Sequence, residues 1–134
     1  MEHLTAVLLL CQLASPIAHG TALLRTWEAI TWRESRNDPR ALNKKENAAG
    51  VGQIRPVMVA ECNRLQKVRT FTLAQRFDPL LSFEMFRIHS LAHAPNGTPE
   101  QWARLWNGGA LGLKKKSTVA YGKDIVRIMQ ERTR

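Results

Sequence analysis

Of the eleven acidic residues in this 134-residue chain, Glu34 is the one best placed for proton chemistry. Leu23, Leu24, Trp27, Ile30 and Thr31 recur at helical spacing, and Glu34 falls three residues beyond Thr31 and seven beyond Trp27, on the same apolar face. A carboxylate there loses hydration when ionised. Its pKa should rise towards the range in which a general acid holds a proton near neutral pH and gives it up. The plainer reading leaves Glu34 at the exposed end of an amphipathic helix. A second carboxylate would be needed to activate water in an inverting hydrolysis, and Glu46 and Asp38 are the candidates. Asp38 is committed to the turn before Pro39, whereas Glu46 lies in a polar stretch that could reach a cleft.

Other groups could bind rather than react. Gly50 and Gly52 let backbone come close to a ligand, and Gln53 beside them offers a donor and an acceptor to a polar ligand group. Trp106 suits a cleft wall or a core, and Asn107 could touch a ligand or hold its loop. Neither Cys11 nor Cys62 belongs to a Cys-x-x-Cys or Cys/His pattern, so no metal site or cofactor is predicted, and Cys62 reads as a partly buried structural thiol.

These residues need helices to position them. Asn37-Asp38-Pro39 stops the first helix, because Pro39 disfavours helical geometry at Asp38. Residues 40 to 53 read as an irregular loop or short hairpin. A second helix starts at Pro56 and runs through Val57, Ala60 and Leu65, and a loop covers about residues 67 to 77. Asp78 caps a third helix with Leu80, Phe83, Phe86 or Arg87, and Leu91 on its apolar stripe. Thr98-Pro99-Glu100-Gln101 is a capping box that opens a short helix carrying Trp102, Leu105 and Trp106, closed by Asn107-Gly108-Gly109. Thr118, Tyr121, Ile125, Ile128 and Met129 mark an amphipathic terminal helix. The expected fold is mainly α.

The length suits one domain with a real core. A formal charge of +9 points to an anionic partner, with nucleic acid, a membrane surface and an acidic cell wall all possible on charge alone. The run Leu4 to Ala18 is uncharged and apolar and ends in Ala18-His19-Gly20, so residues 1–20 read as a signal peptide or an N-terminal apolar segment. It is too short to span a bilayer. The start Met1-Glu2-His3 lacks the usual positive charge of an exported leader.

Four motifs in order carry a family resemblance. They are Glu34-Ser35-Arg36-Asn37-Asp38-Pro39, Ala49-Gly50-Val51-Gly52-Gln53-Ile54-Arg55-Pro56, Trp106-Asn107-Gly108-Gly109, and Thr118 with Tyr121. Together they resemble the lytic transglycosylases of the soluble-transglycosylase and goose-lysozyme type, over nearly all of the chain from about Trp27 to Ile128. The resemblance implies a lysozyme-like domain over residues 21–134, with about five to six helices. It implies cleavage of peptidoglycan glycan strands by one glutamate, Glu34, acting as acid and then as base, and a 1,6-anhydromuramic acid product. Ser35, Gln53, Trp106, Asn107 and Tyr121 then become substrate-binding or positioning residues. Ser35 also reads as a helix C-cap, and Tyr121 as plain helix packing. Trp106 and Gly108 depart from the family's usual Tyr-Asn-Ala-Gly, a variant that with the small size leans towards a phage-like version.

The resemblance further implies a monomer without cofactor, acting in the periplasm or outside the cell if residues 1–20 are a signal, and otherwise in a phage virion or phage-infected cell. A hydrolytic lysozyme using Glu46 is the alternative. A nucleic-acid-binding module would fit the charge and the Lys114-Lys115-Lys116 run, but no helix-turn-helix or zinc-finger signature accompanies them.

Overall fold

Side-chain caps set where two of the helices begin, and left-handed or glycine positions set where two of them end. The structure, a computed structural model, describes residues 20–132, so the apolar segment that could be a signal lies almost wholly outside the described residues. The first helix, α1, occupies residues 20–35. It stops before Asp38-Pro39, because Arg36 and Asn37 adopt left-handed backbone with φ of 55° and 62°. Asn37 N–H donates to the Thr31 carbonyl at 3.2 Å, and the Asn37 side-chain oxygen accepts from the Thr31 hydroxyl at 2.6 Å. Asparagine tolerates this geometry better than most side chains, which places the stop here.

A minimal antiparallel hairpin follows, β1 (Leu42–Asn43) with β2 (Ala48–Ala49), in register Leu42 to Ala49 and Asn43 to Ala48. Two residues per strand cannot hold themselves. The support comes from Arg76, buried in a 3-10 turn at Leu73–Phe77 inside the stretch expected to be loop. Its guanidinium donates to the carbonyls of Asn47 and Ile54 at 2.8 and 3.0 Å, clamping both sides of the hairpin's second strand.

Helix α2 (Pro56–Leu65) starts with proline in its first turn. Helix α3 (Pro79–His93) is capped by Asp78, whose carboxylate accepts from Leu80 and Leu81 N–H at 2.9 and 3.1 Å. Helix α4 (Pro99–Gly108) has the predicted capping box, Thr98 N–H donating to Gln101 Oε1 and Gln101 N–H to Thr98 Oγ1. Two further 3-10 turns, Gly112–Lys114 and Lys116–Thr118, lead into α5 (Val119–Arg132). The expectation of a mainly helical chain holds over the described residues. None of their helices is long and apolar enough to cross a membrane.

The inward faces differ from the expected ones at four places. Leu24, Val57, Ala60 and Leu80 are exposed. On α2 the buried side chains are Met58, Val59 and Cys62, with the Cys62 thiol donating to the Met85 carbonyl of α3 at 3.3 Å. Burial pushes that thiol up to about 12, as expected for an inert structural cysteine. On α3 the Ser82 hydroxyl donates to the Arg76 carbonyl at 3.0 Å, which turns Ser82, Met85, Phe86, His89 and Ser90 inward and leaves Leu80 in solvent. The core centres on three rings. Trp27 stacks on Phe86 at 5.0 Å, and Trp106 meets both edge-on at 5.3 and 5.7 Å. Each such pair contributes about 0.5–1.5 kcal/mol beyond its buried area.

Candidate functional site

Glu34 sits in the last turn of α1, with its side chain 21% exposed. The Tyr121 hydroxyl, from the first turn of α5, donates to Glu34 Oε1 at 3.1 Å. Arg33 donates to the same oxygen at 3.3 Å, and its Nε also donates to Asp124 Oδ2 at 2.8 Å. The Arg33 guanidinium lies 4.5 Å from the centre of the Tyr121 ring. Burial raises the Glu34 pKa above the ordinary carboxylate value. The charge of Arg33 opposes the shift, as do the hydrogen bonds from Tyr121 and Arg33 and the more distant charge of Arg55. Tyr121 titrates well above its usual value because it is buried and faces the Glu34 charge, so its phenol stays protonated and remains a donor.

This carboxyl group opens onto a cleft of about 420 Å³. Glu34 and Tyr121 form one side, and Asn43, Glu46 and Ala48 of the hairpin region form another. Gly52, Gln53 and Ile54 continue the lining into Val57 and Met58 of α2, and the end of α4 closes it with Trp106, Asn107 and Gly108. The volume suits a small organic ligand or part of a polymer chain.

At both glycines of the second motif the side where a Cβ would sit faces protein. A Cβ on Gly50 would come 1.8 Å from the Arg76 carbonyl oxygen, and one on Gly52 would come 2.4 Å from Trp27 Cη2. Gly52 thereby lets the hairpin loop settle onto the aromatic core, and its carbonyl accepts from Trp106 Nε1 at 3.2 Å. Trp106 is therefore core and cleft wall together, 8% exposed.

Gln53, with φ of 49°, spends its amide donors on the Gly50 and Ala41 carbonyls at 3.0 and 3.3 Å. What it can present to the cleft is its carbonyl oxygen, an acceptor. Asn107 stands exposed on the cleft rim, and its side chain has no hydrogen-bond partner among the described residues.

Ser35 does not line the cleft. Its hydroxyl donates to the Val51 carbonyl at 2.9 Å and accepts from Asp38 N–H at 3.2 Å, tying the end of α1 to the glycine loop. That is a positioning role, one residue from Glu34.

Glu46 does line the cleft, but Arg55 holds it at 2.7 Å, and the two side chains are 44% and 56% exposed. Asp38 accepts from Arg40 N–H at 2.9 Å within its turn, as the sequence suggested.

Sequence reasoning gave no role to Arg33, Arg55 or Lys115. Arg33 is only a neighbour of Glu34 in sequence, and its place over Tyr121 depends on α5 packing against α1. Arg55 lies inside the second motif, where nothing in the sequence distinguishes it from its neighbours. Lys115 belongs to the basic run, yet its ammonium reaches back to the Gly108 carbonyl at 2.7 Å and lines the cleft at the end of α4, where a cation is favoured.

No family model, curated protein or solved structure matches the chain.

Proposed function

We propose that the protein is a lysozyme-like lytic transglycosylase that cuts the β-1,4 bond between N-acetylmuramic acid and N-acetylglucosamine in peptidoglycan. The observation that carries this reading is a single desolvated glutamate, Glu34, hydrogen-bonded by Tyr121 on a cleft whose other carboxylate is held by Arg55. In its protonated form Glu34 gives its proton to the glycosidic oxygen as the bond to the anomeric carbon breaks. The resulting carboxylate then takes the proton of the muramic acid 6-hydroxyl, whose oxygen attacks the anomeric carbon and closes the anhydro ring. The carboxyl ends the cycle protonated, as it began. No water enters, and no second carboxylate is needed.

The surroundings fit these steps. Burial favours the protonated form that starts the cycle, while Tyr121 and Arg33 stabilise the carboxylate between its two proton transfers. Gln53 and Asn107 offer polar groups to the sugar substituents. The charge of +9 favours approach to an acidic wall. Gly108, where the family usually has alanine, has a local cause: a Cβ there would lie 2.5 Å from the Thr118 methyl group. The chain would work as a monomer, in the periplasm or outside the cell or from a phage particle according to the fate of residues 1–20.

A hydrolytic muramidase is the second reading, because Glu46 lines the same cleft. Clearance of purified sacculi followed by mass spectrometry of the fragments separates the two. The expected result is anhydro ends from wild type and none from Glu34→Gln. Reducing-end muramic acid would replace the proposal with the muramidase, and a wild-type protein that leaves sacculi intact would reject both.

A further inference from the structure

On the far half of α2 a second group of titratable side chains comes together that the cleft chemistry does not use. His89 and His93 are four residues apart on α3 and so share a face, with ring centres 4.7 Å apart. Glu61 of α2 stands opposite, its Oε1 3.3 Å from His93 Nε2. One ligand atom from each of the three residues lies within 4.8 Å of the other two.

An independent feature points to a ligand here. The His89 side chain is fully buried, and neither of its ring nitrogens has a hydrogen-bond partner among the described residues. An unpaired buried polar group costs about 1–3 kcal/mol, and native interiors rarely leave one without a reason.

We propose that Glu61, His89 and His93 form a binding site for one divalent transition-metal ion of the zinc class, joining α2 to α3. Two imidazole nitrogens and one carboxylate oxygen are a ligand set suited to zinc and poorly suited to magnesium or calcium, which prefer oxygen shells. Zinc bonds of about 2.0–2.1 Å at tetrahedral angles put ligand atoms roughly 3.4 Å apart, a modest contraction of the observed cluster.

His89 and Glu61 are already in the forms that bind a metal ion. Burial, with the neighbouring His93 adding to it, lowers His89 to about 4, so at neutral pH it is an uncharged imidazole with a free lone pair. Glu61 is held near 2, chiefly by its hydrogen bonds from Arg64, and is ionised. Arg64 occupies both carboxylate oxygens at 2.7 and 3.0 Å, but a carboxylate has four lone-pair sites and can bind an ion while keeping an arginine as an outer support. The Glu61 and His93 side chains are each 21% exposed and give the ion its way in. Glu61 is one turn along α2 from Met58, so the ion would brace the helix that walls the cleft. The cysteine spacing that predicted no metal carries no information about this site, which is made of histidines.

The test uses the full chain freed of metal by a chelator. Titration with zinc chloride in a calorimeter should show one ion per chain and a higher Tm, with excess magnesium unable to compete. Cobalt(II) should give the visible absorption of a tetrahedral site. Histidine ring NMR signals of the wild-type chain should move for His89 and His93 together, a readout that needs no variant. His93→Ala and Glu61→Gln, both at the open rim, should lose the binding while keeping the helical circular dichroism of the parent. No bound ion, ring signals of His89 unmoved by zinc, or undiminished binding by His93→Ala, which would put the ion on His3 or His19, overturns the proposal.

Discussion

Two glutamates face one cleft from opposite supports, and the supports decide what each can do. Glu34 projects from the last turn of a helix anchored in the core by Trp27 and Ile30, and its oxygen is held by a buried tyrosine. Glu46 projects from a hairpin of two-residue strands, half in solvent, and pairs with an arginine that is itself exposed. Burial raises the first carboxyl above its ordinary pKa and leaves it suited to giving and retaking a proton. An exposed ion pair like the second is worth about 0–1 kcal/mol. The same side chain is thus a desolvated, hydrogen-bonded carboxyl on one side of the cleft and a surface ion-pair partner on the other.

The largest break in this contrast is Glu34→Gln. Losing the proposed general acid should lower sacculus-clearing activity by about 100- to 10,000-fold. Stability should move the other way. Because the folded-state pKa of Glu34 is raised, its contribution to stability is fully present below the unfolded pKa and is lost as pH rises through the folded value. Above that value Glu34→Gln should therefore have the higher Tm, and the advantage should vanish on acidification below the ordinary glutamate range. Scanning calorimetry across pH checks the sign. An Glu34→Gln chain less stable than wild type at alkaline pH would show that Glu34 is not held against burial.

Next comes Gly52→Ala, which strikes the floor between the two sides. A methyl 2.4 Å from Trp27 and 3.3 Å from Trp106 must push the loop off the aromatic cluster. The expected cost is about 1–3 kcal/mol in urea unfolding, with weakened activity because Gln53 and the hairpin move away from Glu34. Unchanged stability would mean that the loop is not seated on those rings. Tyr121→Phe is milder. It removes the 3.1 Å hydrogen bond, keeps the ring beneath Arg33, and should lower activity about tenfold. Since that bond lowers the Glu34 pKa, the alkaline limb of activity, set by loss of the Glu34 proton, should shift to higher pH in the variant. A profile that does not move would reduce Tyr121 to a packing residue.

What the sequence made legible follows how local each signal is. Asp78 as a cap, the Thr98/Gln101 box and proline in the first turn of α2 act within one turn of chain, and all appear as read. The inward faces of α2 and α3 depend on partners distant in sequence. Val57 is exposed because it lines a cleft, and Leu80 because Ser82 is pinned to the Arg76 turn. Arg76 itself had no signature, since a buried guanidinium satisfied by carbonyls looks in sequence like any surface arginine. In the same way Glu34, Gln53, Trp106, Asn107 and Tyr121 could be picked out by motif, and they do line one cleft. The ion pair that occupies Glu46 could not be read, because it depends on how the hairpin sits against α2.

Glu46→Gln should do least, and for that reason it sharpens the contrast most. If Glu34 carries both proton transfers, removing an exposed charge whose partner is solvated should change activity by less than about twofold and stability by less than about 0.5 kcal/mol. Arg55, released from its pair, would still face the cleft and could bind an acidic substituent of the wall. If Glu46 instead activates water, the same change should abolish reducing-end products and cut the rate by about 100-fold or more. Fragment analysis alongside the rate separates these cases even when the fall is intermediate, because a transglycosylase slowed by a disturbed hairpin still makes anhydro ends. The smallest substitution in the cleft thus decides whether its two carboxylates divide the chemistry or one of them performs it alone.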